Sequence, residues 1–231
     1  MDYPYKYETH VHCFPGSGCG AMPPEEVVDL YAQNGFSGLF LTDHFNGNSG
    51  IDRELPWAER VRQFVDCVHR AKRRGDEIRF NVFFGYEYTN QGADFLILNT
   101  DEKFLYDNPG LLEWDTLEFL SRARGSGAYV VHAHPCRQAA WIADPLRRFP
   151  NHVDAVEVYN PSHDPSYNPP AEVYAEECGL LRFSGSDNHP PKRFNFAGIA
   201  LREKPATAEA FFKLVRANDY TLLPLGEQGV S

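Results

Sequence analysis

The chain has 231 residues, 42% of them apolar and 23% charged, and a formal net charge of −10. A chain of this length buries a sizeable core without disulfides, and its acidity argues against long nucleic acid as a partner. No apolar run approaches the roughly 20 residues of a membrane span, and the N-terminal MDYPYKYETHVH lacks the apolar core of a signal peptide. The five cysteines form no CxxC pair and are odd in number, which fits a reducing compartment, so a cytoplasmic protein is expected.

In chain order, YKYETHV (5–11) reads as a strand. PPEEVVDLYAQNG (23–35) reads as a helix, with proline and two acids in its first turn and Gly35 just past its end. GLFLTD (38–43) is a buried strand. WAERVRQFVDCVHRAKRRG (57–75) places Val61, Phe64, Val65 and Val68 on one helical face, with Gly75 as its expected end. RFNVFFGYEY (79–88) and DFLILNT (94–100) are strands, LLEWDTLEFLSRARG (111–125) a helix and AYVVHAHP (128–135) a strand. VDAVEVYN (153–160) is a strand, followed by the proline-rich loop PSHDPSYNPP (161–170). A short helix near AEVYAEECG (171–179), the strands LLRFSGSD (180–187) and FAGIALR (196–202) and the helix ATAEAFFKLVRAN (206–218) complete the pattern. Strand and helix alternate with no linker-like shift in composition, so residues 1–231 are expected to form one α/β domain. Near seven strand-helix units favour a closed barrel, whose site lies at the C-terminal strand ends.

Those ends are where polar residues gather. The first strand ends in His10 and His12, the second in Asp43 and His44, the third in Glu87; later ones end in His132 and His134, and in Asp187 and His189. These side chains are ligands for Zn, Mn or Fe. Residues i and i+2 of a strand share a face, so His10 and His12 can point at one ion, as can His132 and His134. Taken singly, an HxH pair is more often packed or hydrogen-bonded, and a TDH or SD is often a helix cap. Their recurrence at five strand ends carries the metal reading.

HVH, LTDH, GYE, HAHP and GSDNH, in that order from residue 10 to residue 189, resemble the motifs of the PHP (polymerase and histidinol phosphatase) superfamily, most closely its small stand-alone bacterial members. The resemblance implies a distorted (β/α)7 TIM-like barrel that holds two or three divalent ions (Mn, Zn or Fe) and hydrolyses phosphoesters. It assigns His10, His12, Glu87 and Asp187 to a first ion. Glu87 would bridge to a second ion, which His134 also holds. His44 and His189 would hold a third, with Asp43 a ligand or an orienting partner. Two departures stand out. Gly18 occupies a position where many relatives carry His or Asp, so a third ion here is expected to be held more weakly, completed by water, or helped by Cys19. Asp94 replaces a histidine, and as a carboxylate ligand it favours harder ions such as Mn.

The chemistry expected is attack on phosphorus by a hydroxide bridging the ions joined by Glu87, with Asp187 in the same centre and His189 or His44 assisting the leaving oxygen. Arg137, Lys192 and Arg193 follow metal motifs directly and are candidates to clamp a substrate phosphate. Asn160 ends a strand at the same face and is a further candidate contact, with Glu157 on that strand a weaker one. His69 sits beside an apolar stripe and reads as structural. His132 is ambiguous, because the family motif favours the histidine before the proline. His152 and His163 read as solvent-facing, the latter in a loop long enough to form a rim. No Ser-His-Asp order, P-loop or dinucleotide fingerprint appears. The expected substrate is a small phosphorylated metabolite or nucleotide. Alternatives are histidinol phosphate, short oligonucleotide ends, an amide or lactone, and a non-catalytic metal-stabilised structural or regulatory domain.

Overall fold

The computed structural model describes residues 2–140, 142, 147–189 and 195–224. Its elements are β1 (Tyr5–Val11), α1 (Pro24–Gln33), β2 (Gly38–Leu41), α2 (Trp57–Ile78), β3 (Asn81–Asn90), β4 (Ala93–Leu98), α3 (Glu102–Asp107), α4 (Thr116–Gly125), β5 (Tyr129–Ala133), β6 (Ala155–Tyr159), α5 (Asn168–Cys178), β7 (Leu181–Ser184), β8 (Gly198–Leu201), α6 (Ala208–Arg216) and β9 (Tyr220–Leu223). The described strands form one sheet in the order β7-β6-β5-β4-β3-β2-β1-β8-β9. By their pairings, β1, β2, β3, β5, β6, β7 and β9 run one way, while β4 and β8 run the other.

The outer strands curl towards each other. Ser184 Oγ donates to Leu223 O and accepts from Gly198 N at 3.2 Å, Thr9 Oγ1 donates to Ser184 O at 2.7 Å, and Tyr220 OH donates to Arg182 O at 2.9 Å. The result is a nearly closed, distorted TIM-like barrel. Its apolar interior joins Tyr7, Phe40, Phe83, Leu96, Val131 and Phe183 to Phe211 and Phe212 of α6. Those strand residues precede the polar ends of β1, β2, β3 and β7, so α6 packs away from them. A second core lies between the sheet and α1, α2 and α4, where Val61, Phe64, Val65 and Val68 are buried as their spacing predicts.

Local chemistry explains where the elements differ from expectation. Helix α2 runs through Gly75 to Ile78 and ends where Arg79 takes φ 60°. A Cβ at Gly75 would lie 2.5 Å from Phe80 O, so that glycine admits a close approach instead of ending the helix. The helix expected over 111–125 splits: Leu111–Glu113 form a short 3-10 turn, and α4 begins after Asp115, whose side chain accepts from Glu118 N. α3 and β9 are short and were not expected. The Asn90–Gln91–Gly92–Ala93 turn, with φ 52° and 81° at its centre, returns β4 antiparallel to β3. Asp94, near the start of a reversed strand, therefore reaches the same end of the barrel as Glu87. No described helix is long and apolar enough to cross a membrane.

Candidate metal centre

His10 and His12 point from β1 into the barrel mouth, while Val11 between them faces the helices. His10 Nε2 lies 3.4 Å from Glu87 Oε2 and 3.4 Å from Asp187 Oδ1; His12 Nε2 lies 3.4 Å and 3.1 Å from the same two oxygens. Ligand atoms about 3.3 Å apart are what a tetrahedral ion with bonds of about 2.0–2.1 Å spans. His10 Nε2, His44 Nδ1, Glu87 Oε2, His134 Nε2 and His163 Nε2 are buried and make no hydrogen bond. Buried polar atoms normally find partners. Five such orphans among the described residues, gathered around the Glu87 and Asp187 carboxylates with lone pairs facing one another, fit divalent cations.

Both carboxylates straddle the centre. Glu87 Oε2 faces His10, His12 and His44, the last at 3.0 Å, while Oε1 lies 3.3 Å from His134 Nε2. Asp187 Oδ1 faces His10 and His12, while Oδ2 lies 3.9 Å from His134 Nε2 and 3.0 Å from His163 Nε2. A further nitrogen cluster comprises His12, His44 and His189, and the Cys19 thiol lies beside His44 and His189. Burial raises the Cys19 pKa, but those two imidazoles outweigh it and bring the thiol down to about 7. Cys19 thus sits beside the cluster expected to hold the third ion.

Two of the converging residues leave ordinary backbone geometry. His134 has φ 26° and Asp187 φ 51°, conformations that cost about 1–3 kcal/mol and cluster at functional sites. Glu157 Oε2 accepts from His134 N at 3.0 Å, and Asp187 N donates to His10 O at 2.8 Å, which anchors both turns. The turn at His134 corrects the expectation that His132 shares its face. β5 ends at Ala133, and His132 faces outward against Phe95, Phe149 and Tyr174. Burial in that apolar packet, with the neighbouring His134 and Arg147 charges, lowers its pKa to about 3.

Behind the converging side chains stands a set of orienting groups. Glu157 Oε1 lies 2.9 Å from His10 Nδ1, and Ser17 Oγ 3.0 Å from His12 Nδ1. Asp43 is turned away from the converging atoms: it accepts from Cys13 N (2.7 Å), Cys13 Sγ (2.9 Å) and Ser17 Oγ (2.8 Å). Ser17 in turn accepts from His44 N at 2.9 Å, so Asp43 holds the loop that orients His12 and His44. Asn160 is also placed behind the centre and not in the cavity. Its amide donates to Glu157 Oε2 at 2.9 Å and accepts from Ser162 N at 3.0 Å, and the residue is buried outside the cavity lining. Below them, buried Glu8 accepts from Thr9, His10 and Ser186 N–H and from Tyr31 OH. Burial, working against those hydrogen bonds, pushes Glu8 up to about 7.

The cavity over the centre has a volume of about 950 Å³. Asp94 and Arg137 form its far wall, joined at 2.6 Å, and Arg137 is the one arginine or lysine in the lining among the described residues. Lys192 and Arg193 lie outside the described residues. His69 is half-exposed and pairs with Glu102 at 3.2 Å, away from the centre, and His152 lies apart in a turn. His163, expected in solvent, instead lines the cavity; sequence reasoning missed it, along with the orienting roles of Glu157 and Ser17. The one signal for His163 was its place in the rim-forming loop after a site-bearing strand.

The sequence matches no family model and no curated protein. Among solved structures, it is similar to a two-domain protein from Bacteroides vulgatus ATCC 8482 containing a predicted PHP-like metal-dependent phosphoesterase (TM-score 0.70, 18% identity over 94% of this chain). The chain spans 64% of that protein's length. A Bifidobacterium adolescentis ATCC 15703 protein assigned as a metal-dependent phosphoesterase aligns with TM-score 0.60 and 14% identity, covering 92% of this chain and 96% of that one. An amidohydrolase from Chromobacterium violaceum, with bound sulfate and no metal, aligns with TM-score 0.55 and 17% identity over 94% and 97% of the two chains. The fold is the distorted barrel of PHP-like proteins.

Proposed function

We propose that this chain is a metal-dependent hydrolase of the PHP superfamily that cleaves small phosphoesters. The observation that supports it best is the set of buried, unpartnered nitrogen and oxygen atoms of His10, His44, Glu87 and His134 converging beneath an open cavity. In this reading His10, His12, Glu87 and Asp187 hold one ion and Glu87 and His134 belong to a second. His44 and His189, with Cys19 beside them, serve a third. Bound divalent ions supply Lewis acidity: they lower the pKa of water from about 15.7 to about 7 and offset charge on phosphoryl oxygens.

The chain's own residues do the rest. Glu87 and Asp187 each present two oxygens to the centre and keep its parts in register. His12, whose burial and neighbouring His44 hold its pKa near 3, stays an unprotonated donor. Arg137 offers a guanidinium at the cavity wall for the phosphate, and its buried Nε has no partner. His189, half-buried at the cavity edge, has Nδ1 2.8 Å from Asp187 O, which leaves Nε2 as its ligand atom for the third site. A cavity of about 950 Å³ suits a phosphorylated metabolite or nucleotide. The acidic chain makes long nucleic acid and anionic membrane surfaces poor partners.

The test begins with metal content of protein purified without chelator, followed by assays of a phosphomonoester and a phosphodiester dye with added Mn²⁺. Two or more ions per chain with turnover supports the reading, and the preferred dye narrows the substrate class. Less than one ion, with no gain from added metal, defeats it. Asp187→Asn then separates catalysis from structure: it should abolish hydrolysis and leave a folded chain. A lowered melting temperature with no activity under any condition marks a structural site instead.

A further inference from the structure

Asp94 and His163 approach the His134 side of the centre from opposite walls, and they are not equivalent. Asp94 is committed elsewhere, with Oδ2 2.6 Å from Arg137 Nη2 and 3.8 Å from His134 Nδ1. That places it behind the His134 ring, as a partner of the nitrogen that faces away from Glu87. His163 has Asp187 as its one close carboxylate among the described residues. Its Nε2 is buried, makes no hydrogen bond, and lies 3.0 Å from Asp187 Oδ2, the oxygen turned towards His134. The His134 and His163 rings stand edge to face with centroids 4.7 Å apart, and one ligand atom each of His134, His163 and Asp187 lies within 4.8 Å of the others.

The loop that carries His163 is built to hold it there. Ser162 N donates to Asn160 Oδ1 and Ser162 Oγ to Ser186 O, next to Asp187. On the other side Asp164 accepts from Ser166 N at 2.9 Å and Tyr167 N at 3.0 Å. Asn160 itself is fixed by Glu157, the residue that orients His10. The loop is thus tied to both sides of the centre.

We propose that His163 is a metal ligand that completes, with His134, Glu87 and Asp187, the second ion site, while Asp94 acts as a positioning partner of His134. The inference rests on the metal-hydrolase reading above and gives its second site two imidazoles and two carboxylates, where a directly bound Asp94 would leave His134 as the single imidazole. Two imidazoles favour Zn²⁺ or Fe²⁺ over the harder ions that a directly bound Asp94 would suit. It also makes the rim loop part of the metal site, so filling that site would fasten one wall of the substrate cavity.

The experiment is a calorimetric titration of chelator-stripped protein with Zn²⁺, wild type against His163→Gln, with bound ions counted after desalting. The proposal expects the variant to lose one ion per chain, or to bind it at least about tenfold more weakly, the lower end of what losing even a partner behind a ligand costs. The remaining binding and the metal-free melting temperature should match wild type. Equal stoichiometry and affinity in the two proteins overturns the proposal and leaves the hydrolase reading standing. A wild type that binds no ion overturns both. If His163→Gln does not fold, cadmium-loaded wild type with nitrogen-labelled histidine decides. Scalar coupling of cadmium to a His163 ring nitrogen supports the proposal; coupling to His134 with none to His163 overturns it.

Discussion

His10 Nδ1 and Glu157 Oε1 are 2.9 Å apart, both fully buried, and this pairing decides which imidazole nitrogen reaches the centre. With Nδ1 held by the carboxylate, Nε2 is left facing Glu87 and Asp187. Glu157 also fixes the His134 turn and Asn160 through its second oxygen. Glu157→Gln keeps the size and one acceptor but removes the charge that makes His10 a stronger donor. Its expected effect is a roughly 10- to 100-fold loss of metal affinity. Titration of chelator-stripped protein checks it; unchanged affinity would mean that Glu157 only fills space.

The centre also predicts a pH dependence. In metal-free protein, burial lowers the pKa of His10 and His44, yet carboxylates outweigh it. Glu157, Asp187 and Glu87 act on His10 and Glu87 on His44, so both are held well above the ordinary value. Such histidines stabilise the fold fully below their unfolded pKa, and the contribution is lost as pH rises through the folded one. Burial raises Glu87 and Asp187, but His44 and His10 at Glu87, and His10 and His12 at Asp187, hold both well below the carboxylate range. Their contribution is present above the unfolded value and lost as pH falls through the folded one. Metal-free protein should therefore be most stable between those limits and weaken towards alkaline pH. Metal binding requires unprotonated imidazole and expels the protons, so it has the opposite slope. The rise in melting temperature on adding Zn²⁺ should grow from about pH 6 to about pH 8. Melts with and without metal test this, and a rise that shrinks with pH would contradict it.

The barrel and most of the converging residues were legible because strand-end His, Asp and Glu recur in a pattern that one-dimensional reading can follow. His10, His12, Glu87, His134 and Asp187 needed only strand periodicity and the position after each strand. His132 was ambiguous for a reason periodicity cannot resolve: the φ of 26° at His134 breaks alternation at that residue. Asp94 reaches the mouth because a two-residue turn at Gln91 and Gly92 reverses β4, a reversal that strand periodicity alone does not show. The contact of Glu157 with His10, and the place of His163 in the cavity, were not legible. A buried strand carboxylate and a loop histidine acquire their roles only through contacts made across the barrel. Asn160 misled for the complementary reason, since ending a strand at the right face does not decide whether an amide is already bonded on both sides.

Arg137 should govern substrate binding more than turnover. It is the one arginine or lysine of the described cavity lining, and Arg137 N bonds back to His134 O at 3.0 Å, which fixes its approach. Loss of one charged hydrogen bond to a phosphate is worth about 1.5–3 kcal/mol, roughly a 10- to 100-fold rise in KM. Arg137→Met should show that rise with a smaller change in kcat. The Asp94 carboxylate would then lack its ion pair, so Asp94→Asn and the double variant complete a cycle. If Asp94→Asn alone raises KM as much as Arg137→Met, the pair acts as a structural strut and not as a phosphate clamp.

Gly185 tests how tightly the centre is packed from below. It lies between β7 and Asp187, and a Cβ there would stand 2.5 Å from Glu157 Oε1, 2.5 Å from His10 Cβ and 3.1 Å from Thr9 Oγ1. Neither His10 nor Glu157 can yield alone, because they are bonded to each other. Gly185→Ala should destabilise by about 1–3 kcal/mol through overpacking, seen as a melting temperature lower by several degrees. It should also weaken metal binding, because the clash falls on the His10–Glu157 pair. Gly110→Ala is the control: nothing lies within 4 Å of its Cβ and its φ of −96° suits any residue. If Gly185→Ala melts and binds Zn²⁺ as Gly110→Ala does, the strand end can shift without disturbing His10, and the centre is less rigidly held than these distances imply.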